Sequence, residues 1–232
     1  MMLSYSLSSS AGLEDTEFAY EQGDYETSYF EFFQLAKEGD AEAQGYLGDM
    51  YRKGQGVAKS DEESNKWYKQ AAIQGNAHAQ YNLAVSYTNG IGGIEKDDKE
   101  AFKWYRKAAV QGYVIAQTNL GTMYHLGQGT RKNVAEAVKW LRKAAEQGSE
   151  SAMFNLGVIY ITGDGVDKNG SIAATWFRKA AEQGDTRAQY QLGRMFFLGD
   201  GVNRDITEGL RWLKKAADQG HKVAKQIIEI SE

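Results

Sequence analysis

Apolar residues recur along this chain at helical spacing, in paired segments separated by short glycine-bearing breaks. In the first segment of each pair Ala, Leu and Tyr fall at i, i+4 and i+8, as in Ala79, Leu83 and Tyr87, which is one helical face. These segments follow a capping residue (Asp40, Asn76, Ser149, Asp185) and end at Gly-x-Gly, as at Gly54/Gly56, Gly127/Gly129, Gly163/Gly165 and Gly199/Gly201. The second segments start at Ser60, Asp97, Asn133, Asn169 and Asp205, and their apolar positions include Trp140, Leu141, Ala144 and Ala145. Four of them carry Glu three residues after the cap (Glu63, Glu100, Glu136, Glu208), the pattern of a reciprocal capping box. Each closes on Gln-Gly or its neighbourhood, with glycine in the C′ role. The pattern predicts helical hairpins.

The hairpin repeats. Gln-Gly recurs at 74–75, 111–112, 147–148, 183–184 and 219–220, with Glu38-Gly39 as a variant, and the glycines are spaced 36, 37, 36, 36 and 36. Trp67, Trp104, Trp140, Trp176 and Trp212 keep the same phase, as does Ala-Ala. One hairpin buries too little surface to stand alone, so stability must come from stacking, with atypical ends. The boundaries predicted are a disordered segment over 1–12, an opening hairpin over 13–39, five repeats over 40–220 and a closing helix over 221–232. Gly121 and Ala145 are expected to let helix backbones approach, with Trp140, Leu120 and Tyr124 filling the gaps.

Composition sharpens this picture. The chain has no proline and 26 glycines in 232 residues, so glycine does the stopping at both helix ends. With no cysteine and three histidines, disulfides and thiolate sites are excluded and neither a metal nor a cofactor is expected. Lys+Arg number 27 against 31 Asp+Glu, and residues 1–50 hold eleven acids and one base. That balance argues against nucleic-acid binding. No apolar run is long enough for membrane insertion. Helices flank every Gly-x-Gly, so these are turns rather than phosphate cradles. No nucleophile with its base is recognisable, and no enzymatic activity is expected.

The run Ala-x-Ala-Gln-x-Asn-Leu-Gly-x-x-Tyr-x-x-Gly-x-Gly-Val followed by Ala-x-x-Trp-x-x-Lys-Ala-Ala-x-Gln-Gly resembles the Sel-one-like repeat, a relative of the tetratricopeptide repeat. The resemblance covers roughly residues 40–220. Ala84 replaces the helical glycine, Thr130 replaces Val, and one unit has an extra residue at Gly90-Ile91-Gly92-Gly93. It implies an all-α fold, a right-handed α-solenoid of helix-turn-helix repeats whose first helices line a concave groove. It also implies an adaptor that binds a protein or peptide partner there. The alternative reading is a hydrolase or binder acting on cell-wall or β-lactam compounds, as the resemblance implies for some relatives with paired cysteines; this chain lacks those cysteines.

Residues opposite the Ala/Leu/Tyr core are the candidates for such a groove. They are Asp49 and Arg52 in the first unit, Tyr81 and Asn82 in the second, and Asn119 and His125 in the third. Phe154 and Asn155 follow in the fourth, then Tyr190, Gln191, Arg194 and Phe197 in the fifth. Apolar side chains on a face that is not the core point to an interaction surface. Asn82, Asn119, Asn155 and Gln191 form an amide ladder, suited either to holding a peptide backbone or to stitching repeats. A monomer is expected, in the cytoplasm, or in the periplasm or exterior where a signal peptide preceded it.

Overall fold

A computed structural model describes the backbone of residues 3–231 and the side chains of residues 12–231. Among the described residues the chain is entirely helical. The helices are α1 (Leu3–Glu21), α2 (Tyr25–Lys37), α3 (Ala41–Lys53), α4 (Asp61–Gln74), α5 (Ala77–Asn89), α6 (Asp98–Val110) and α7 (Val114–Leu126), followed by α8 (Val134–Glu146), α9 (Glu150–Thr162), α10 (Gly170–Glu182), α11 (Thr186–Leu198), α12 (Ile206–Asp218) and α13 (Lys222–Ser231). They group into two compact units, residues 1–116 and 117–232, with the division in the first turn of α7.

α1 starts at Leu3, inside the stretch 1–12 expected to be disordered; residues 1 and 2 lie outside the described residues. Neither proline nor any glycine before Gly12 breaks the helix there. α1 and α2 form a hairpin. Leu13 and Tyr20 of α1 pack on a core of Phe32, Ala36, Ala43, Leu47 and Met50. At the other end α13 buries Ala224 and lays Ile227 and Ile228 against Leu213 and Ala216.

The helix ends form where the cap residues stand. Asp40, Asn76, Ser149 and Asp185 accept from the amides of Ala43, Ala79, Ala152 and Ala188. Ser60, Asn133 and Asp205 accept likewise from Glu63, Glu136 and Glu208. The reciprocal half of the capping box is replaced by other contacts. Glu136 and Glu208 instead accept from the indole N–H of Trp140 and Trp212 at 3.2 and 2.6 Å, while Glu63 and Glu100 pair with Lys66 and Lys103. A donor three or four residues along the same face captures the carboxylate before it turns back to the cap.

Within each unit, consecutive helices pack by setting a large side chain against a glycine. Tyr68 lies over Gly48, Leu141 over Gly121, Phe177 over Gly157 and Leu213 over Gly193. A Cβ on Gly157 would sit 2.5 Å from the Phe177 ring, and one on Gly121 would sit 2.7 Å from Leu141. Those large residues are the positions immediately after the tryptophans, and Phe32 occupies the same place after Glu31. The tryptophans themselves are only partly the predicted core. Trp140 and Trp212 are buried, but Trp67, Trp104 and Trp176 are half-exposed. Lysines three residues on cover four of the rings, with Nζ 4.0 to 4.8 Å from the centroids at Trp104, Trp140, Trp176 and Trp212. A step of one residue turns the side chain about 100° around the helix, so the neighbour takes the interior and Trp the rim.

The glutamine of each Gln-Gly ties the second helix of its repeat to the first, and the acceptor glutamine ties that first helix to the preceding hairpin. Gln74, Gln111, Gln147 and Gln219 donate to the side-chain oxygens of Gln44, Gln80, Gln117 and Gln189 at 2.7 to 2.8 Å. Gln44, Gln80 and Gln189 are buried and donate in turn to the carbonyls of Ala36, Ala72 and Ala181. These carbonyls lie at the ends of α2, α4 and α10, where they also accept from the amides of Gly39, Gly75 and Gly184.

Candidate functional site

In the first unit the candidate residues converge on Asp49 of α3. Its Oδ1 accepts from the Tyr68 hydroxyl of α4, lies 3.0 Å from His78 Nε2 of α5 and 3.4 Å from an Arg52 guanidinium nitrogen. Arg52 Nε also donates to the Tyr68 oxygen at 3.1 Å, and Lys53 reaches Asp49 Oδ2 at 3.7 Å. His78 Nδ1 is 3.2 Å from the Tyr113 hydroxyl, and Asn82 Nδ2 is 2.9 Å from His78 Nε2. The Tyr81 ring lies 5.2 Å from that of Tyr113. Asp49, Arg52, Tyr81 and Asn82 are thus drawn into one cluster by Tyr68, His78 and Tyr113.

Burial alone would push the Asp49 carboxyl upward, but the hydrogen bonds from His78 and Tyr68 and the charges of His78 and Lys53 outweigh it and hold the group at about 2. The Tyr68 phenol is pushed well above its ordinary value, by burial first and then by Asp49. Asp49 is therefore a fixed anion whose oxygen already accepts several bonds. It anchors the cluster and has no proton to trade near neutrality. Two clefts flank it: about 240 Å³ lined by Glu42, Tyr46, Asn76 and His78, and about 250 Å³ lined by Arg52, Tyr68, Asn82, Val85 and Ser86.

In the second unit the candidates lie along α7, α9 and α11. Asn155 donates to Thr122 Oγ1 at 3.2 Å and so bridges α9 to α7. Asn119 and Gln191 are half-buried, and their side chains form no hydrogen bond among the described residues. The Phe154 ring rests against Phe177 at 5.6 Å and is covered by the Arg187 guanidinium at 4.3 Å, which Asp185 holds at 2.6 Å. Tyr190 stacks on His221 at 4.3 Å, and Phe197 packs beside Leu213. His125 is placed differently from the rest. It is tied to Asp164 in the Gly163–Gly165 turn at 2.9 Å, where Lys132 also binds at 2.6 Å.

Tyr68 and Tyr113 were not on the predicted face, and His78, which was on it, was not among the groove candidates, though each left a signal. Tyr68 stands in a core row filled elsewhere by Leu or Phe except at Tyr105, and a buried phenol needs a hydrogen-bond partner. Tyr113 occupies a cap position held in other repeats by Asp, Asn or Ser. His78 precedes Asn82 by one turn on the predicted face. No group of His, Asp and Glu among the described residues is arranged to hold a metal ion, and no described helix is long and apolar enough to cross a membrane.

The family model for the Sel1 repeat matches residues 41–76, 77–113, 114–149, 150–185 and 186–221. The chain belongs to the Sel1 repeat family. Among solved structures, this Sel1 repeat protein is similar to a Sel1 repeat protein from Oxalobacter formigenes, with TM-score 0.85 and 37% identity over 95% of this chain and 86% of that one. It is also similar to c5321, a protective antigen of uropathogenic Escherichia coli displaying an SLR fold, with TM-score 0.89 and 36% identity. That match covers 95% of this chain and 48% of c5321, so the chain spans about half of that antigen's length. Immunity protein Pa5087 from Pseudomonas aeruginosa shares the fold, with TM-score 0.54 and 18% identity over 88% of this chain and 81% of that one. A comparison with curated proteins gives no match. Sel1 repeats are in general protein-interaction scaffolds of a type that is typically non-catalytic. In this Sel1 repeat protein the first helix of each repeat carries the candidate face, and the second helix supplies the large core residue and the tryptophan.

Proposed function

We propose that this Sel1 repeat protein is a non-enzymatic adaptor that binds a protein or peptide along the exposed faces of its first helices. The observation that carries the proposal is the chemistry of α7, α9 and α11. These helices carry the amides of Asn119 and Gln191, which form no hydrogen bond among the described residues, and the half-buried rings of Phe154, Tyr190 and Phe197. Leu126 and Leu198, at the same register of α7 and α11, are 58% and 60% exposed. Amides with free donors and acceptors suit the backbone of an extended segment, and apolar side chains beside them supply affinity. Packing already holds these rings in place, so little ordering is left to pay for on binding.

Affinity capture from a lysate of the source cells tests this, using the wild type beside the Tyr190→Ala, Phe197→Ala double variant. The wild type is expected to retain a stoichiometric protein that the variant loses, with the helical circular dichroism of the variant unchanged. Retention by both alike would refute the proposal, as would turnover of cell-wall or β-lactam compounds by the purified chain.

A further inference from the structure

The one buried side-chain nitrogen or oxygen without a hydrogen-bond partner among the described residues is Nε of Arg194, on the candidate face of α11. No carboxylate among the described residues lies within ion-pair distance of this guanidinium, and every residue one turn away on its own helix, Tyr190, Gln191, Phe197 and Leu198, is uncharged. A guanidinium does not lose its proton near neutrality, so it cannot relieve the cost of partial burial by becoming neutral. Buried donors are otherwise paired almost without exception, so this one calls for an account.

The repeat supplies a comparison inside the same molecule. Counted from the inter-repeat glycine, Arg194 occupies the register of Asp49, Val85, Thr122 and Val158. Asp49, the other charged residue in that row, is saturated by Tyr68, His78 and Arg52. The neighbouring cation Arg187 is likewise engaged, by Asp185. Of these three charged residues, Arg194 is the one with neither an ion pair nor a hydrogen bond to its buried Nε among the described residues.

Resting on the adaptor reading above, we infer that Arg194 receives the side-chain carboxylate of a Glu or Asp within an extended peptide partner. A single unpaired guanidinium matches one negative charge better than a phosphate dianion, which would draw on a second cation, and Arg187 is already committed. Tyr190 lies on one side of Arg194 along α11 and Phe197 on the other. Contacts are therefore available on both sides of the acid, as an internal residue of the peptide requires and a chain end does not. Complementary charge of this kind sets register and selectivity more than raw affinity.

The test uses amino-terminally fluorescein-labelled, carboxy-terminally amidated decapeptide pools, random except for a fixed central Glu, Gln or Lys, on the immobilised full chain. A further pool combines central Gln with a free terminal carboxylate, and inorganic phosphate serves as competitor. The wild type is expected to retain the Glu pool roughly tenfold over the Gln pool, the scale of one charge-assisted hydrogen bond. Arg194→Met should bring the two to parity, and Arg194→Glu should favour the Lys pool. The thermal midpoint of Arg194→Met should equal or exceed that of the wild type, and a fall of several degrees would mark Arg194 as structural and overturn the inference. Equal retention of the Glu and Gln pools by the wild type, or a Glu preference that survives Arg194→Met, would also overturn it. Retention of the free-carboxylate Gln pool at the Glu level assigns the site to a chain terminus. Loss of the preference in millimolar phosphate assigns it to a phosphate. Either result rejects the internal acid. If Glu and Gln pools bind alike and the Tyr190→Ala, Phe197→Ala variant releases both, the adaptor reading stands and only the role of Arg194 falls; if no pool binds, both fall.

Discussion

Replacing Asp49 by Asn removes the charge at the centre of the first-unit cluster while keeping the side chain's shape. The carboxyl is held at about 2 against an ordinary 3.8, a difference worth about 2 kcal/mol of stability at neutral pH. The sign follows from the direction: a carboxyl depressed in the folded state contributes fully above its unfolded value and loses that contribution as pH falls toward the folded value. Urea unfolding followed by circular dichroism should therefore place D49N about 2 kcal/mol below the wild type at pH 7. At pH 3, between the two values, the gap should shrink to roughly half. Lost acceptor geometry toward Tyr68 and His78 adds a part that does not change with pH, so the diagnostic quantity is the narrowing of the gap. An Asn variant equally destabilised at pH 7 and pH 3 would refute the claim that charge at Asp49 holds this cluster together.

Gly157→Ala should destabilise by about 1–2 kcal/mol, since overpacking against Phe177 exceeds the gain in helix propensity. Gly12→Ala in α1, with nothing within 4 Å of the new methyl, should stabilise by up to about 1 kcal/mol, and thermal unfolding of the two variants reads both signs. Gln219→Ala should cost about 1–2 kcal/mol by stranding the buried Gln189 oxygen, measured by urea unfolding. Asn119→Ala with Asn155→Ala should weaken peptide retention several-fold while lowering stability by no more than about 1 kcal/mol, the worth of the single Asn155–Thr122 bond. An unfolding midpoint that collapses with binding unchanged would make the amides repeat-stitching groups alone.

The helix ends were legible because their causes are local: a capping Asp, Asn or Ser, and a glycine able to take positive φ, act within four residues of themselves. The choice between Trp and its neighbour for the interior was not, because it is decided on the facing helix by Gly48, Gly121, Gly157 and Gly193. The same holds for the candidate face. Its residues follow from helical phase, but Asp49 meets partners 19 and 29 residues away, so its saturation belongs to the packing of three helices. His125 shows the opposite failure. Its phase suggests the face, yet it sits at the end of α7 within reach of Asp164 in the next turn. The isolation of Arg194 is a property of everything around it, and no residue pattern announces it.

Hydroxyl-radical footprinting of the full chain, free and with the peptide pool it retains best, tests the central claim most directly. Phe154, Tyr190 and Phe197 should lose reactivity on binding while Trp104 and Trp176 on the second helices keep theirs. Protection of those tryptophans with the three first-helix rings unchanged would contradict it.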